Sequence, residues 1–94
     1  NYSIYSTAKA GLEAITKGLA RELAPEIKVN AIAPGAMLEP PDVTWTEEQK
    51  NKVIDSIPLK RMGSEKDIAE AVKFLANSDY ITGQIIKVDG GRSL

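Results

Sequence analysis

The apolar residues Leu12, Ile15, Leu19 and Leu23 recur at helical spacing and predict a helix over about Ser3–Leu23. Ala8, Gly11 and Ala14 share a neighbouring stripe whose small side chains admit close approach by another backbone. Pro25 ends this element, and the period then changes. KVNAIA, Lys28–Ala33, is a short apolar run holding Val29 and Ile32 and stopped by Pro34 and Gly35, the pattern of a buried strand and a sharp turn. Residues 36–64 are less regular and carry Pro40, Pro41 and Pro58, but Thr46 with Gln49 makes a capping-box pattern that predicts a short helix through about Ile57. Ser64 and Asp67 form a second cap ahead of Ile68, Ala71, Val72, Leu75 and Ala76, which predict a helix over Glu65–Asn77. In QIIKVDGG, the residues Ile85, Ile86 and Val88 form a β-prone run closed by Asp89, Gly90 and Gly91. There is no internal repeat and no low-complexity tract.

Strand, crossover containing a helix, strand is a βαβ order, and neither strand alternates cleanly with polar residues, so the pattern predicts an α/β protein with a parallel sheet. Two strands cannot complete such a sheet, and the strand at Lys28 leaves one edge unpaired. Residues 1–94 therefore read as the C-terminal part of one domain rather than a whole one.

Composition narrows the chemistry. Over 94 residues, 43% hydrophobic and 27% charged, the chain reads as globular, and its net charge of -1 is spread without a basic stripe, so nucleic acid is not an expected partner. The longest apolar runs are too short for a membrane span or a signal peptide, and a cytoplasmic setting is expected. The chain has no Cys and no His, which excludes within it a thiol nucleophile, a disulfide, a Ser-His-Asp triad and an imidazole-ligated metal. Acid–base chemistry must fall to Tyr, Lys or carboxylates. Tyr5 and Lys9, at about 100° per residue, project from nearly the same helix face.

These residues form part of a wider resemblance. YSTAK, Tyr5–Lys9, resembles the Tyr-x-x-x-Lys signature of the short-chain dehydrogenases/reductases, NAIAPG, Asn30–Gly35, their strand and Pro-Gly turn, and VDGG, Val88–Gly91, their usual last strand. Order and spacing agree over nearly the whole chain. The resemblance implies the C-terminal portion of a doubly wound, Rossmann-type domain whose N-terminal cofactor-binding half lies outside this chain. It also implies hydride transfer between NADPH or NADH, with NADP favoured, and a carbonyl or C=N group of a small-molecule substrate. Such a reaction needs a group that gives a proton to the developing alkoxide or takes it back. A free phenol, with pKa about 10, ionises reluctantly near neutrality, and a neighbouring ammonium favours the phenolate. Tyr5 is the expected acid/base and Lys9 its tuner.

By the same resemblance, Tyr5 and Lys9 touch the cofactor, Lys9 at the nicotinamide ribose, while Pro34, Gly35 and Ala36 line the nicotinamide pocket, Gly35 letting backbone approach a flat ring. Asn30 is expected to satisfy backbone groups, and Gly90 and Gly91 to be structural. The phosphate loop, the active-site Asn and the carbonyl-polarising Ser lie upstream of the Tyr in family members, and glycines at 11, 18, 35, 63, 83, 90 and 91 make no G-x-G-x-x-G here. Many members carry a Thr four residues after the Pro-Gly glycine, where this sequence has Glu39. PGAMLEP and VDGGRSL are instead similar to the pteridine reductase branch. Reduction of 3-oxoacyl thioesters is the alternative, and an inactive binding or structural fragment a further one. Residues 36–57 are expected to form a substrate lid, with Met37, Leu38 and Trp45 facing substrate. Family members are commonly tetramers, so a homo-tetramer is expected, with the Ala8, Gly11 and Ala14 stripe packing either on a symmetry mate or on the protein's own sheet.

Overall fold

In the computed structural model the chain forms helix α1 (Tyr2–Leu23), strand β1 (Ala31–Pro34), helix α2 (Glu47–Asp55), helix α3 (Glu65–Asn77) and strand β2 (Ile85–Val88). The structure describes residues 2–35 and 45–94, with side chains in α1 from residue 7 onward. β1 and β2 are neighbours in a two-stranded sheet. The Ala31 N–H donates to the Gln84 carbonyl and the Gly35 N–H to the Val88 carbonyl, each at 2.9 Å, so both strands advance by four residues together and the pair is parallel. The chain divides into two compact units, residues 1–31 with 74–86 and residues 32–73 with 87–94.

In the first unit, the apolar stripe of α1 is not its buried face. Thr16 and Ala20 are 4% exposed, whereas Leu12 is 49% and Ile15 60% exposed. The reason is close approach. Thr16 Oγ1 donates to the Leu12 carbonyl at 2.8 Å, which satisfies its hydroxyl inside the helix. A Cβ built on Gly83 would lie 3.4 Å from the Ala20 Cβ, so the turn before β2 sits directly on the small face of α1. The Lys28 ammonium donates to the carbonyls of Leu75, Ala76 and Ser78. A cation there satisfies orphan acceptors and complements the negative end of α3. Asn30 bridges backbone groups in both senses, its Nδ2 donating to the Ile81 carbonyl at 3.1 Å and its Oδ1 accepting from the Gln84 N–H at 3.0 Å. The Val29 N–H meets Thr82 Oγ1 at 3.0 Å. Residues 28–30 are thus spent on polar ties, Lys28 to the end of α3 and Val29 and Asn30 to the turn before β2, and β1 starts three residues later than the apolar pattern predicts.

In the second unit, the capping box at Thr46 is present in full. The Gln49 N–H donates to Thr46 Oγ1 at 3.1 Å and the Thr46 N–H to Gln49 Oε1 at 2.9 Å. Helix α2 stops at Asp55 rather than Ile57, because Ser56 caps it, with Oγ donating to the Val53 carbonyl at 2.6 Å, and Ile57 turns inward. The bounds of α3 and β2 are those the pattern predicts.

Candidate functional site

Two of the expected site residues lie on α1. The helix runs unbroken through Tyr5 and Lys9, so the backbone keeps the one-turn relation between them. Lys9 is exposed and has interactions of its own, while the Tyr5 side chain lies outside the described residues. Pro34 ends β1 and is exposed, and Gly35 follows it half-buried. Ala36, Met37 and Leu38 lie outside the described residues. Trp45 is half-buried immediately before the α2 cap, and it too is engaged.

The structure gives the Gly35 position a reason internal to the protein. A Cβ built there would fall 2.5 Å from the Asp89 Cβ and 2.6 Å from its Cα, closer than atoms can approach. Gly35 therefore brings the carboxyl ends of β1 and β2 together. That edge of an open α/β sheet is where ligands of this architecture sit. Beyond β2 the glycines are structural as expected. Gly90 and Gly91 have φ of 63° and 89°, the left-handed region that favours glycine. Their missing side chains make room for Ile57 and Pro58.

The sequence reading missed the charged cluster at the start of α3. Arg61 grips Asp67 with both terminal guanidinium nitrogens, at 2.9 and 3.0 Å, and Asp67 also accepts from the Ser64 N–H at 2.8 Å and the Ser64 hydroxyl at 3.1 Å. The Arg61 guanidinium foremost, then the Ser64 N–H and hydroxyl, hold the Asp67 carboxyl well below the usual carboxylate range. The Ser64 cap is thus worked by the carboxylate reaching back, not by the serine reaching forward. Arg61, six residues upstream, carries no periodic signal that would have found it. Asp89 is likewise held below its ordinary range by the Ser93 side chain and by the N–H groups of Gly91 and Ser93. Leu59, Arg61, Asp67, Lys87, Asp89 and Gly90 line a cavity of about 380 Å³ in this second unit. Of the expected site residues described in this unit, Pro34, Gly35 and Trp45, none lines it.

Among the described residues no helix is long and apolar enough to cross a membrane, and no group of three or more Cys, His, Asp or Glu side chains is arranged to hold a metal.

A Tyr-x-x-x-Lys helix, a glycine-tight turn ending one strand, and a parallel partner strand followed by Asp-Gly-Gly define the chain as part of a parallel α/β protein. A family model described as enoyl-(acyl carrier protein) reductase matches residues 1–93. The chain belongs to the short-chain dehydrogenase/reductase family. It is 48% identical over 90 residues to the 3-oxoacyl-[acyl-carrier-protein] reductase of Aquifex aeolicus, covering 93% of this chain and 36% of that protein. It is 44% identical over 99 residues to the glucose 1-dehydrogenase of Gluconobacter oxydans, covering 100% of this chain and 37% of the relative. The chain thus spans little more than a third of the length of these curated relatives. Among solved structures, it is similar to a short-chain dehydrogenase from Leptospira borgpetersenii with bound NAD+, with TM-score 0.82 and 37% identity over 97% of this chain and 35% of that one. A small-chain dehydrogenase in complex with NADPH matches with TM-score 0.78 and 38% identity over 88% of this chain and 39% of that one.

Proposed function

We propose that the protein to which this chain belongs is an NAD(P)-dependent carbonyl reductase that uses Tyr5 as acid/base and Lys9 as its tuner, with 3-oxoacyl thioesters as substrate. The observation that carries the reading is the continuous helix through Tyr5 and Lys9 in a chain 48% identical to a 3-oxoacyl-[acyl-carrier-protein] reductase. The pteridine reductase reading rests on the PGAMLEP and VDGGRSL resemblance alone, and none of the relatives named above is named for that activity.

The residues present fit the nicotinamide end of a dinucleotide. In the first unit Lys9 is an exposed cation suited to a ribose hydroxyl, and in the second the family resemblance puts the nicotinamide at the backbone of the Pro34-Gly35 turn, at the sheet's carboxyl edge. When bound, the cofactor supplies the hydride. Tyr5 gives a proton to the substrate oxygen, and Lys9 stabilises the phenolate left behind. The phosphate-binding loop, the polarising Ser and the active-site Asn belong to residues upstream, on this reading, as does the choice of NADP, which the family resemblance favours. Met37, Leu38 and Trp45 face substrate, and the protein works in the cytoplasm as a homo-tetramer. The exposed Ala8, Gly11 and Ala14 stripe on α1 is consistent with such assembly.

The experiment is a comparison, on the full-length protein, of a 3-oxoacyl thioester, dihydrobiopterin and glucose, each with NADPH/NADP+ and NADH/NAD+. Preferred reduction of the thioester is expected. Turnover of dihydrobiopterin alone would return the pteridine reading, and oxidation of glucose alone would replace both.

A further inference from the structure

We propose that the Asp89–Gly91 turn after β2 is a positioning element for the reaction, seating helix α2 through Ile57 and thereby setting how well the carbonyl substrate fits. The inference rests on the reading of α2 and its approach as substrate-facing, and it assigns a role to residues that touch neither substrate nor cofactor.

No residue of α2 is fully buried, Lys50, Val53 and Ile54 being half-buried, and its capping box at Thr46 is internal to the helix, so its firmest seat lies beyond its own residues. Burial begins two residues past its end. Ile57 is 1% exposed, the most buried large side chain among the described residues. A Cβ built on Gly90 would lie 2.7 Å from Ile57 Cγ2, so Ile57 rests on bare glycine backbone. One built on Gly91 would meet Pro58 Cγ and Cβ at 3.1 and 3.2 Å. The Leu59 N–H donates to the Gly90 carbonyl at 3.0 Å, and the Lys60 N–H to the Ile57 carbonyl at 2.8 Å. The segment 57–60 is therefore a closed turn hydrogen-bonded to Gly90 and packed on Gly91, and α2 grows out of it.

The other side of the same turn meets the end of β1. Asp89 fills the space that a side chain at Gly35 would need, and the Gly35 N–H donates to the Val88 carbonyl at 2.9 Å. Three consecutive residues thus lie against both the turn expected to line the nicotinamide and the root of the helix expected to face substrate. A small misplacement of positioned groups is costly to rate, because reacting atoms must be held near contact distance. Gly90 and Ile57 are the pair through which a shift would reach α2 without altering any group in the chemistry.

The test uses Gly90→Ala, Ile57→Leu and Ile57→Val in the full-length protein. Gly90→Ala places a methyl on Ile57 Cγ2, and Ile57→Leu removes the β-branch that meets Gly90, whereas Ile57→Val keeps it. The first two should raise KM for the 3-oxoacyl thioester about tenfold, with NADPH affinity by fluorescence titration changed less than about twofold. Ile57→Val should leave both within about twofold. Hydrogen-exchange mass spectrometry should show protection lost in α2 and retained in α3 for Gly90→Ala and Ile57→Leu. If Gly90→Ala fails to fold, the Leu and Val pair carries the same comparison. Unchanged exchange in α2, or an equal loss across α3 and β2, would overturn the anchor, as would an unmoved KM in an enzyme whose α2 had loosened. If the wild type reduced no carbonyl substrate, the proposed function would fall, and the exchange comparison alone would decide whether the turn seats α2.

Discussion

The two compact units are held by opposite means. In the first, polar side chains reach across to backbone groups, as Lys28 does to the end of α3 and Asn30 to the turn before β2, while Leu12, Ile15 and Phe74 stay largely exposed. In the second, neighbours lie on bare glycine backbone where side chains are missing, Asp89 on Gly35 and the Ile57 side chain on Gly90. The first unit is thus sensitive to the removal of atoms, because removal orphans hydrogen-bonding groups. The second is sensitive to their addition, because there is no space to take them.

The largest expected effect is chemical and falls outside that contrast, which is why it sharpens it. Tyr5→Phe in the full-length protein removes one oxygen from α1, and turnover should fall by about 10²-fold or more. Circular dichroism and cofactor affinity should be retained. A loss of fold together with activity would place Tyr5 among the structural ties of the first unit, and full activity would end its assignment as acid/base.

Next in size is a pair of identical substitutions with opposite signs. Gly35→Ala must push Asp89 aside and should cost about 3 kcal/mol, at the upper end for an overpacked site. Gly18→Ala lies within α1, where nothing comes within 4 Å of the added carbon, and should stabilise by about 0.7 kcal/mol through helix propensity alone. Urea unfolding of both reads the contrast directly. Equal effects would dissolve it.

How much of this was legible in the sequence follows the same division. The helices and both strands announce themselves by period and caps, and the Glu65–Asn77 and Ile85–Val88 bounds coincide with observation because local signals end each element. The buried face of α1 was not legible. Within these 94 residues Leu12 and Ile15 have the hydrophobicity and Thr16 and Ala20 the burial, and what lies on Ala20 is the Gly83 turn, a matter of tertiary fit. At the site, the Tyr5–Lys9 spacing and the Pro34-Gly35 turn could be read directly. The need for Gly35 could not, because its neighbour Asp89 is 54 residues away in sequence. The Arg61 grip on Asp67 was hidden for a related reason, in that a loop residue's reach depends on the path of the loop.

Deleting a tie tests the first unit. Asn30→Ala leaves the Ile81 carbonyl and the Gln84 N–H without this partner and should cost about 2 kcal/mol. Asn30→Asp retains the acceptor and loses the donor, so it should fall between wild type and Ala. If Ala were neutral, water would have replaced the amide and the tie would be ornamental.

The pH dependence of the second unit gives a smaller effect, because the Arg61–Asp67 pair is partly exposed and screened by solvent. The folded state holds the Asp67 carboxyl below its ordinary value, so folding favours the ionised form. That contribution is fully present above the unfolded-state pKa of about 3.9 and is lost as pH falls through the lower folded-state value. Thermal unfolding should therefore show wild type exceeding Asp67→Asn by a constant margin from pH 7 to about pH 5, with the margin shrinking below about pH 4. A margin that persisted unchanged into acid would mean that geometry, not charge, caps α3.

The smallest effect concerns the one place among the described residues where the second unit tolerates a side chain in a conformation suited to glycine. Lys60 has φ of 59°, which costs a residue with a Cβ about 1 kcal/mol. It nonetheless closes the turn at the root of α2, and its ammonium donates to the Asp55 carbonyl at 2.8 Å, where a cation suits the helix end. Lys60→Gly relieves the strain, but it adds about 0.5–1 kcal/mol of unfolded-chain freedom and removes the ammonium, so its net effect should be close to zero. Lys60→Asn accepts the left-handed region more readily without glycine's freedom and should gain a few tenths of a kcal/mol. Urea midpoints at unchanged m-value would measure both. A loss above about 1 kcal/mol for Lys60→Gly would show that the ammonium outweighs the strain it rides on, placing a side-chain tie of the first unit's kind at the root of α2.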